Sequence, residues 1–234
     1  MLLWKVRNAG MYRKYIKRLL DIMMSAAGII VLSPVMLVTA FLVRIKLGSP
    51  VIFKQKRPGK NEKIFEMYKF RSMTNERDQD GNLLPDEVRL TEFGKTLRAT
   101  SLDELPELFN ILKGDMSVVG PRPQLVRDMV FMTQRQRKRH SVLPGLTGLA
   151  QVNGRNNISW EEKLKWDLQY VNHVSFRADI LIIIKTIQKV IQKEDISMEG
   201  METAEDLGDY LLRSGKINLS VYEKKIQEEQ NIRR

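Results

Sequence analysis

The chain contains no cysteine. Disulfides, thiol nucleophiles and cysteine-ligated zinc or iron–sulfur centres are therefore excluded, and the composition fits a reducing compartment. Histidine is almost as scarce. His140 and His173 are the whole complement, a poor basis for a histidine-rich metal site or a Ser-His-Asp triad. No internal repeat is present, and the clustered aromatics that stack single-stranded bases are missing. Acidic residues are also in deficit. The formal charge of +11 calls for an anionic partner such as membrane lipid, nucleic acid or a phosphorylated substrate. The 234 residues suffice for one sizeable domain with a small appendage.

One long apolar run is present. Ile22 to Val43 carries no charge and, at about 22 residues, is long enough to span a bilayer. It is basic on both sides: Lys5, Arg7, Arg13, Lys14, Lys17 and Arg18 precede it, and Arg44, Lys46, Lys54, Lys56, Arg57 and Lys60 follow. The positive-inside tendency places both flanks on the cytoplasmic face, which one straight span cannot satisfy. Ser33-Pro34 lies near the middle of the run, where proline favours a kink and Ser33 is placed to satisfy a freed carbonyl. The residues leave two topologies open: a re-entrant helix broken at Ser33-Pro34, and a single span with a tolerated proline. Asp21, at the membrane edge, is expected to pair with Lys17 or Arg18.

The soluble part is organised around residues 97–123, LRATSLDELPELFNILKGDMSVVGPRP. Asp103 and Glu104 stand at a helix start, with Ser101 or Asp103 as its first residue and Glu104 available for a capping box. Gly114 is the expected stop. Pro121-Arg122-Pro123 follows, an arginine on stiffened backbone, as bidentate phosphate recognition requires. Upstream, KIFEMYKFR reads as a strand with Lys69 and Arg71 on one face. Asp78-Gln79-Asp80 matches a metal-holding Asp-x-Asp pattern, but an Asp-Gly turn explains it equally well. Gly94-Lys95-Thr96 fails as a P-loop because position 89 is arginine. Arg135 to Arg139 is a candidate for anionic headgroups. From Asp179, a helix with Ile180, Ile183, Ile184, Ile187, Val190 and Ile191 on one face suits either a core or the membrane interface. Asp179 would cap that helix or pair with a cation. The tail from Glu199 is polar and expected to be partly disordered.

Three functional classes fit the chemistry: phosphoryl or phosphosugar transfer at a membrane, a membrane-tethered binding module, and glycoside hydrolysis. Adjacent carboxylates are poorly placed to flank a glycosidic bond from opposite sides at the required separation. A binding module leaves the acidic pair and the Pro-Arg-Pro loop unexplained. Phosphosugar transfer remains the leading reading.

KRLLDIMMSAAGIIVLSP, YKFRSM, the 97–123 stretch and PGLTGLAQVNGR together resemble the bacterial sugar transferases, the monotopic polyprenol-phosphate phosphoglycosyl transferases. The likeness covers roughly Tyr12 to Gly200. NEKIFEMYKFRSMTNERD and GRNNISWEEK look closest to small members of protein-glycosylation pathways. The resemblance implies an α+β, mainly helical fold: a re-entrant membrane helix at 1–50, a cytosolic catalytic domain with interfacial amphipathic helices at 51–200, and a polar tail at 201–234. It implies transfer of a sugar phosphate from a UDP-sugar to undecaprenyl phosphate with release of UMP, at the cytoplasmic face of the bacterial inner membrane. The implied donor is a diacetylated amino sugar such as UDP-diacetylbacillosamine, with glucose or galactose donors as the alternative. Asp103 matches the nucleophile of an Asp-Glu dyad, and Asp103 and Glu104 match its Mg²⁺ ligands. Arg122 matches a phosphate-binding arginine, and Arg98, Lys69 and Asp179 match polar positions near the site. Anionic lipids and downstream glycosyltransferases are implied partners; nucleic acid is not.

Topology can be tested directly, since the chain has no thiol of its own. Leu2→Cys and Val51→Cys, labelled in intact cells, should both react from the cytoplasmic side alone. Labelling from opposite sides would exclude the re-entrant form.

Overall fold

The computed structural model describes residues 10–154, 158–192 and 205–233. Tyr12–Ile16 forms a π-helical entry that runs directly into helix α1 (Lys17–Lys46). Pro34 lies inside α1. Its missing N–H frees the carbonyl of Ile30, and Ser33 Oγ donates to that oxygen at 2.8 Å, so the proline is accommodated within a continuous helix. The helix is long and apolar enough to cross a membrane. Ile30, Val31, Leu37 and Phe41 are exposed, a large apolar surface that water would penalise and lipid would not.

The opposite side of α1 is docked. β1 (Ile52–Pro58) and β2 (Ile64–Phe70) form an antiparallel hairpin in the register Ile52↔Phe70 to Pro58↔Ile64. α2 (Asp86–Arg89) and α3 (Glu92–Ala99), with Thr91 capping Gly94 N, lead into a 3₁₀ turn at Leu102–Glu104 and then α4 (Glu107–Lys113). Leu108 of α4 packs on Gly28 of α1. Arg18 donates to the carbonyls of Ile111 and Leu112 at 2.6 and 2.9 Å, closing the C-terminal end of α4, where Gly114 adopts φ +101°. Asp21 accepts from Ser117 Oγ and Val118 N at 3.0 and 2.9 Å. The expected pairing of Asp21 with Lys17 or Arg18 is thus replaced by a bond to the domain, because Arg18 is occupied by carbonyls and Lys17 reaches Asp179.

β3 (Ser117–Val119) pairs in parallel with β4 (Gly145–Thr147). A Cβ on Gly145 would lie 2.0 Å from Gly120 N, and one on Gly148 would lie 2.2 Å from Gly120 O. The glycine-rich segment therefore exists for close backbone approach behind the Pro-Arg-Pro loop. α5 (Val126–Phe131), α6 (Gln134–Arg137) and a 3₁₀ turn at Lys138–Ser141 lie between the two strands, and α7 (Leu149–Gly154) follows β4. α8 (Trp160–Asn172) starts on a Ser159 capping box. α9 (Phe176–Gln192) buries Asp179 and Ile182 and exposes Phe176, Ile180, Leu181, Ile184, Ile187 and Val190. Its apolar stripe thus faces outward, as an interfacial helix requires. Asp179 does not cap this helix; Ser175 Oγ accepts from Ala178 N.

The described part of the C-terminal segment is helical. α10 (Leu207–Arg213) and α11 (Leu219–Arg233) form a helical pair on α5 and α8. Leu207, Tyr210, Leu211, Tyr222 and Ile226 join Val130, Phe131, Trp160 and Leu164 in one apolar cluster. The polar average of the tail conceals these spaced apolar residues. In the basic run at 135–139, Arg139 is buried and Arg137 pairs with Glu62 at 2.5 Å, while Arg135 and Lys138 are exposed.

Gly145→Ala should force the β3–β4 backbones apart, because the obstructing atoms are main chain. The expected loss is about 1–3 kcal/mol, as for overpacked cores, read as a lower midpoint in thermal unfolding in detergent. An unchanged midpoint would show that the pair tolerates separation.

Candidate active site

The site is assembled from three elements. β2 presents Lys69 on the same face as Met67, whose side chain packs against Leu108, Ile111 and Met116. The 3₁₀ turn and the start of α4 supply Asp103, Glu104 and Glu107. Asn110 fixes these elements to one another: its side chain accepts from Tyr68 N at 2.9 Å and donates to Glu66 O at 2.7 Å, substituting for a strand at the free edge of β2. Lys69 Nζ then lies 2.7 Å from Glu104 Oε1, 3.4 Å from Glu107 Oε1 and 3.7 Å from Asp103 Oδ2.

Arg122 completes the cluster, with Nη2 2.5 Å from Glu104 Oε1. Prolines flank it, and its carbonyl accepts from Arg139 Nη2 at 2.6 Å. Arg139 is itself held by Asp167, with Nε to Oδ2 at 2.9 Å, so a buried ion pair supports the loop from behind. The Arg122 side chain keeps 40% of its surface exposed, leaving its remaining donors open to an incoming anion.

The electrostatics follow from this crowding. Burial favours protonation of Glu104, but Arg122 and Lys69 outweigh it and hold the carboxyl far below the usual range. Glu107 has no such neighbour at full strength: burial and the Glu104 charge push it up to about 7. Burial raises Asp103 as well, opposed by Lys69 and, more weakly, by Arg122 and Arg98. Burial works against the Lys69 ammonium, yet Glu104 and Glu107 overcome it and raise its pKa. Fully ionised, three carboxylates face two cations, an excess of one negative charge.

Asp103, Glu104, Lys69 and Arg122 are thus brought together. Arg98 stands at the margin, with Nε bonded to Ser72 Oγ at 3.0 Å and its charge felt at Asp103. Asp179 lies in a different constellation: it accepts from Tyr12 Oη at 2.6 Å, Lys17 Nζ at 2.6 Å and Tyr170 Oη at 2.8 Å. Arg71, expected beside Lys69, instead donates to the carbonyls of Ser49 and Met73. The Glu104 capping box does not form, since Ser101 is left-handed and Glu104 is committed to cations. Asp78 binds its own loop amides, at Asp80 and Asn82. Glu107 and Asn110 were not singled out from the sequence. Their signal is spacing: Glu107 falls three and four residues after the acidic pair, on the same side of a helical turn.

The donor set suits a hard divalent cation in its chemistry. The oxygens are carboxylates, and Glu107 Oε1 is buried without a hydrogen-bond partner. Among the described residues, no three acidic or histidine side chains already converge on a metal position; Lys69 stands between them. A cleft of about 150 Å³ adjoins the cluster, lined by Lys69, Glu107 and Arg122 on one side and by Asp128, Lys163 and Asp206 farther out.

Comparison with known proteins agrees with this architecture. The family model "Bacterial sugar transferase" matches residues 12–193, and the chain belongs to that family. It is 51% identical over 190 residues to the uncharacterized sugar transferase EpsL of Bacillus subtilis, covering 81% of this chain and 94% of that protein. It is 42% identical to the UDP-glucose:undecaprenyl-phosphate glucose-1-phosphate transferase of Klebsiella pneumoniae, covering 74% of this chain but 39% of that protein. Identity is 38% to the UDP-N-acetylgalactosamine-undecaprenyl-phosphate N-acetylgalactosaminephosphotransferase of Aeromonas hydrophila, covering 76% and 44%. The chain therefore spans less than half the length of these last two relatives. The α10–α11 pair lies beyond the matched family region.

Lys69→Met should leave three crowded carboxylates without their central cation. The expected destabilisation is about 3–5 kcal/mol, measured by chemical unfolding in detergent. Lys69→Met/Glu107→Gln should recover part of it, because one repulsive charge is gone. A double variant no more stable than the single one would show that Lys69 does not act by charge compensation.

Proposed function

We propose that this protein transfers a sugar 1-phosphate from a UDP-sugar to undecaprenyl phosphate and releases UMP. The observation that carries the reading is the contact of the Asp103-Glu104 pair with Lys69 and Arg122, in a domain docked against a lipid-compatible helix. The family membership and the printed activities of the relatives support the same reaction class.

In this reading Asp103 attacks the sugar-bearing phosphorus. The phosphoanhydride bond breaks, UMP leaves with the bridging oxygen, and an acyl-phosphate sugar remains on the enzyme. The phosphate oxygen of undecaprenyl phosphate then attacks the same phosphorus and returns the Asp103 carboxylate. Arg122 and Lys69 offset the phosphate charge that otherwise repels a carboxylate nucleophile. Glu104 holds both cations in register. Mg²⁺ would be held by Asp103 and Glu104 and would supply further neutralisation of phosphate charge. Arg98 tunes Asp103 from the margin. Asp179 acts in this scheme from a distance, by fixing the start of the membrane helix to the catalytic domain.

The proposed topology is re-entrant at Ser33-Pro34, with the catalytic domain on the cytoplasmic face of the inner membrane. Its supports are the basic flanks on both sides of the apolar run and the docking of α1 along the domain. The division at about residues 50 and 200 into membrane helix, catalytic domain and tail belongs to the same reading. The proposed donor is a diacetylated amino sugar, on the likeness of residues 61–78 and 154–163. Glucose, galactose and N-acetylgalactosamine donors are the competitors. The lipid-linked product would pass to further glycosyltransferases.

A UMP-release screen across UDP-sugars with undecaprenyl phosphate tests both levels. One donor should release UMP, and Asp103→Asn should reduce that release at least about 10³-fold and abolish the covalent sugar phosphate. Release by Asp103→Asn at near the wild-type rate would refute the nucleophile. Activity on no donor would revive a membrane-tethered binding module.

A further inference from the structure

The cleft beside the carboxylate cluster contains a cation that the chemistry above leaves unused. Arg57 lies near the end of β1, paired with Phe65 across the hairpin. Its guanidinium lines the cleft together with Lys69 and Arg122. Nη2 donates to Gln55 Oε1 at 2.6 Å, and Nη1 reaches Pro123 O at 3.4 Å. Nε is buried with no partner.

Three acids, Asp128, Glu107 and Asp206, act on it through space only. Among the described residues Arg57 forms no ion pair with a carboxylate. Asp128, an acid in the same cleft, has its two oxygens committed to backbone amides, Oδ2 to Leu125 N at 3.0 Å and Oδ1 to Leu207 N at 2.9 Å. Asp206, which also lines the cleft, pairs with Arg127 at 3.0 Å. Burial first, and then the like charge of Arg122, outweigh those acids and lower the Arg57 pKa to about 10. A desolvated guanidinium that shares a cleft with a second arginine and feels its charge is costly. The arrangement is relieved by an anion that bridges the two arginines.

We propose that Arg57 is a second phosphate-binding residue, so that Arg57 and Arg122 form a clamp for two linked phosphates. Resting on the reaction proposed above, Arg122 and Lys69 hold the phosphate that reacts with Asp103, and Arg57 holds the nucleoside-bearing phosphate. Arg57 thereby binds the leaving nucleoside monophosphate and stabilises the charge that develops on it. Gln55 and the Pro123 carbonyl orient the guanidinium for this role. A phosphate group can reach the cleft from either substrate, the diphosphate of the nucleotide donor or the monoester of the polyprenol phosphate, and the two half-reactions separate them.

The experiment compares wild type, Arg57→Gln and Arg57→Lys as full-length protein in detergent. Pyrophosphate and UMP binding are measured by calorimetry. UMP release from the donor is timed without polyprenol phosphate, and discharge of the covalent intermediate is timed with it. Arg57→Gln should weaken pyrophosphate and UMP about 10–100-fold, the range for one lost charge-assisted hydrogen bond. It should slow UMP release and leave discharge unchanged. Arg57→Lys should fall between the two, because it keeps the charge and loses the fork; it also serves if Arg57→Gln does not fold. Slower discharge with unchanged UMP binding would overturn the assignment to the donor. Unchanged binding of both anions would overturn the site itself. Pyrophosphate binding needs no turnover, so a failure of the proposed reaction would be seen separately, as absence of UMP release by wild type.

Discussion

One ammonium group, Lys69 Nζ, sits among three carboxylates, and the active-site architecture depends on that balance. Asp103, Glu104 and Glu107 are all within 3.7 Å of it. Without a shared cation, three buried acids so close together would protonate or separate. With Lys69 and Arg122 present, Glu104 stays charged while Glu107 sits near neutrality. The cluster can therefore accept additional positive charge or exchange a proton, the property wanted where phosphate charge moves. The supports are correspondingly specific. Asn110 fixes α4 to the edge of β2, and the Arg139–Asp167 pair fixes the carbonyl of Arg122.

A second set of polar contacts joins this cluster to the apolar helix. Lys17, Arg18 and Asp21, all near the start of α1, each bind the globular domain: Asp179, the end of α4, and β3 respectively. Tyr12 and Tyr170 complete the buried network around Asp179. Such groups are costly to bury unless fully satisfied, and here they are paired across the junction. The lipid-compatible surface of α1 and the outward stripe of α9 are thereby held in a set relation to the candidate site.

Much of the candidate site was legible beforehand because it is local. The acidic pair, Arg122 between two prolines, and Gly114 as a stop are properties of a single stretch. The strand containing Lys69 could be recognised from its alternation and composition. What misled was local as well. The capping-box spacing at Glu104 was satisfied on paper, but two cations offered that carboxylate a better partner than a backbone amide. Asp179 fits a cap equally well by position, yet it binds two tyrosines and a lysine. The tail reads as polar because its apolar residues are diluted among charges, and only a partner surface on α5 and α8 reveals their phase.

By itself, the sequence determined the apolar helix with basic flanks, the exclusion of thiol chemistry, and the contiguous motif that carries the acids. Those follow from composition and short-range spacing. The tertiary structure alone decided which charges meet. Lys69 and Glu104 are separated by 35 positions, Arg122 and Glu104 by 18, and Tyr12 and Asp179 by 167. It also brought Arg57 into the same cleft as Arg122, and Glu205 and Asp206, just ahead of α10, to its lining. Partner choice among many similar charges is set by burial and geometry across the fold, and neither is encoded in the spacing of any one segment.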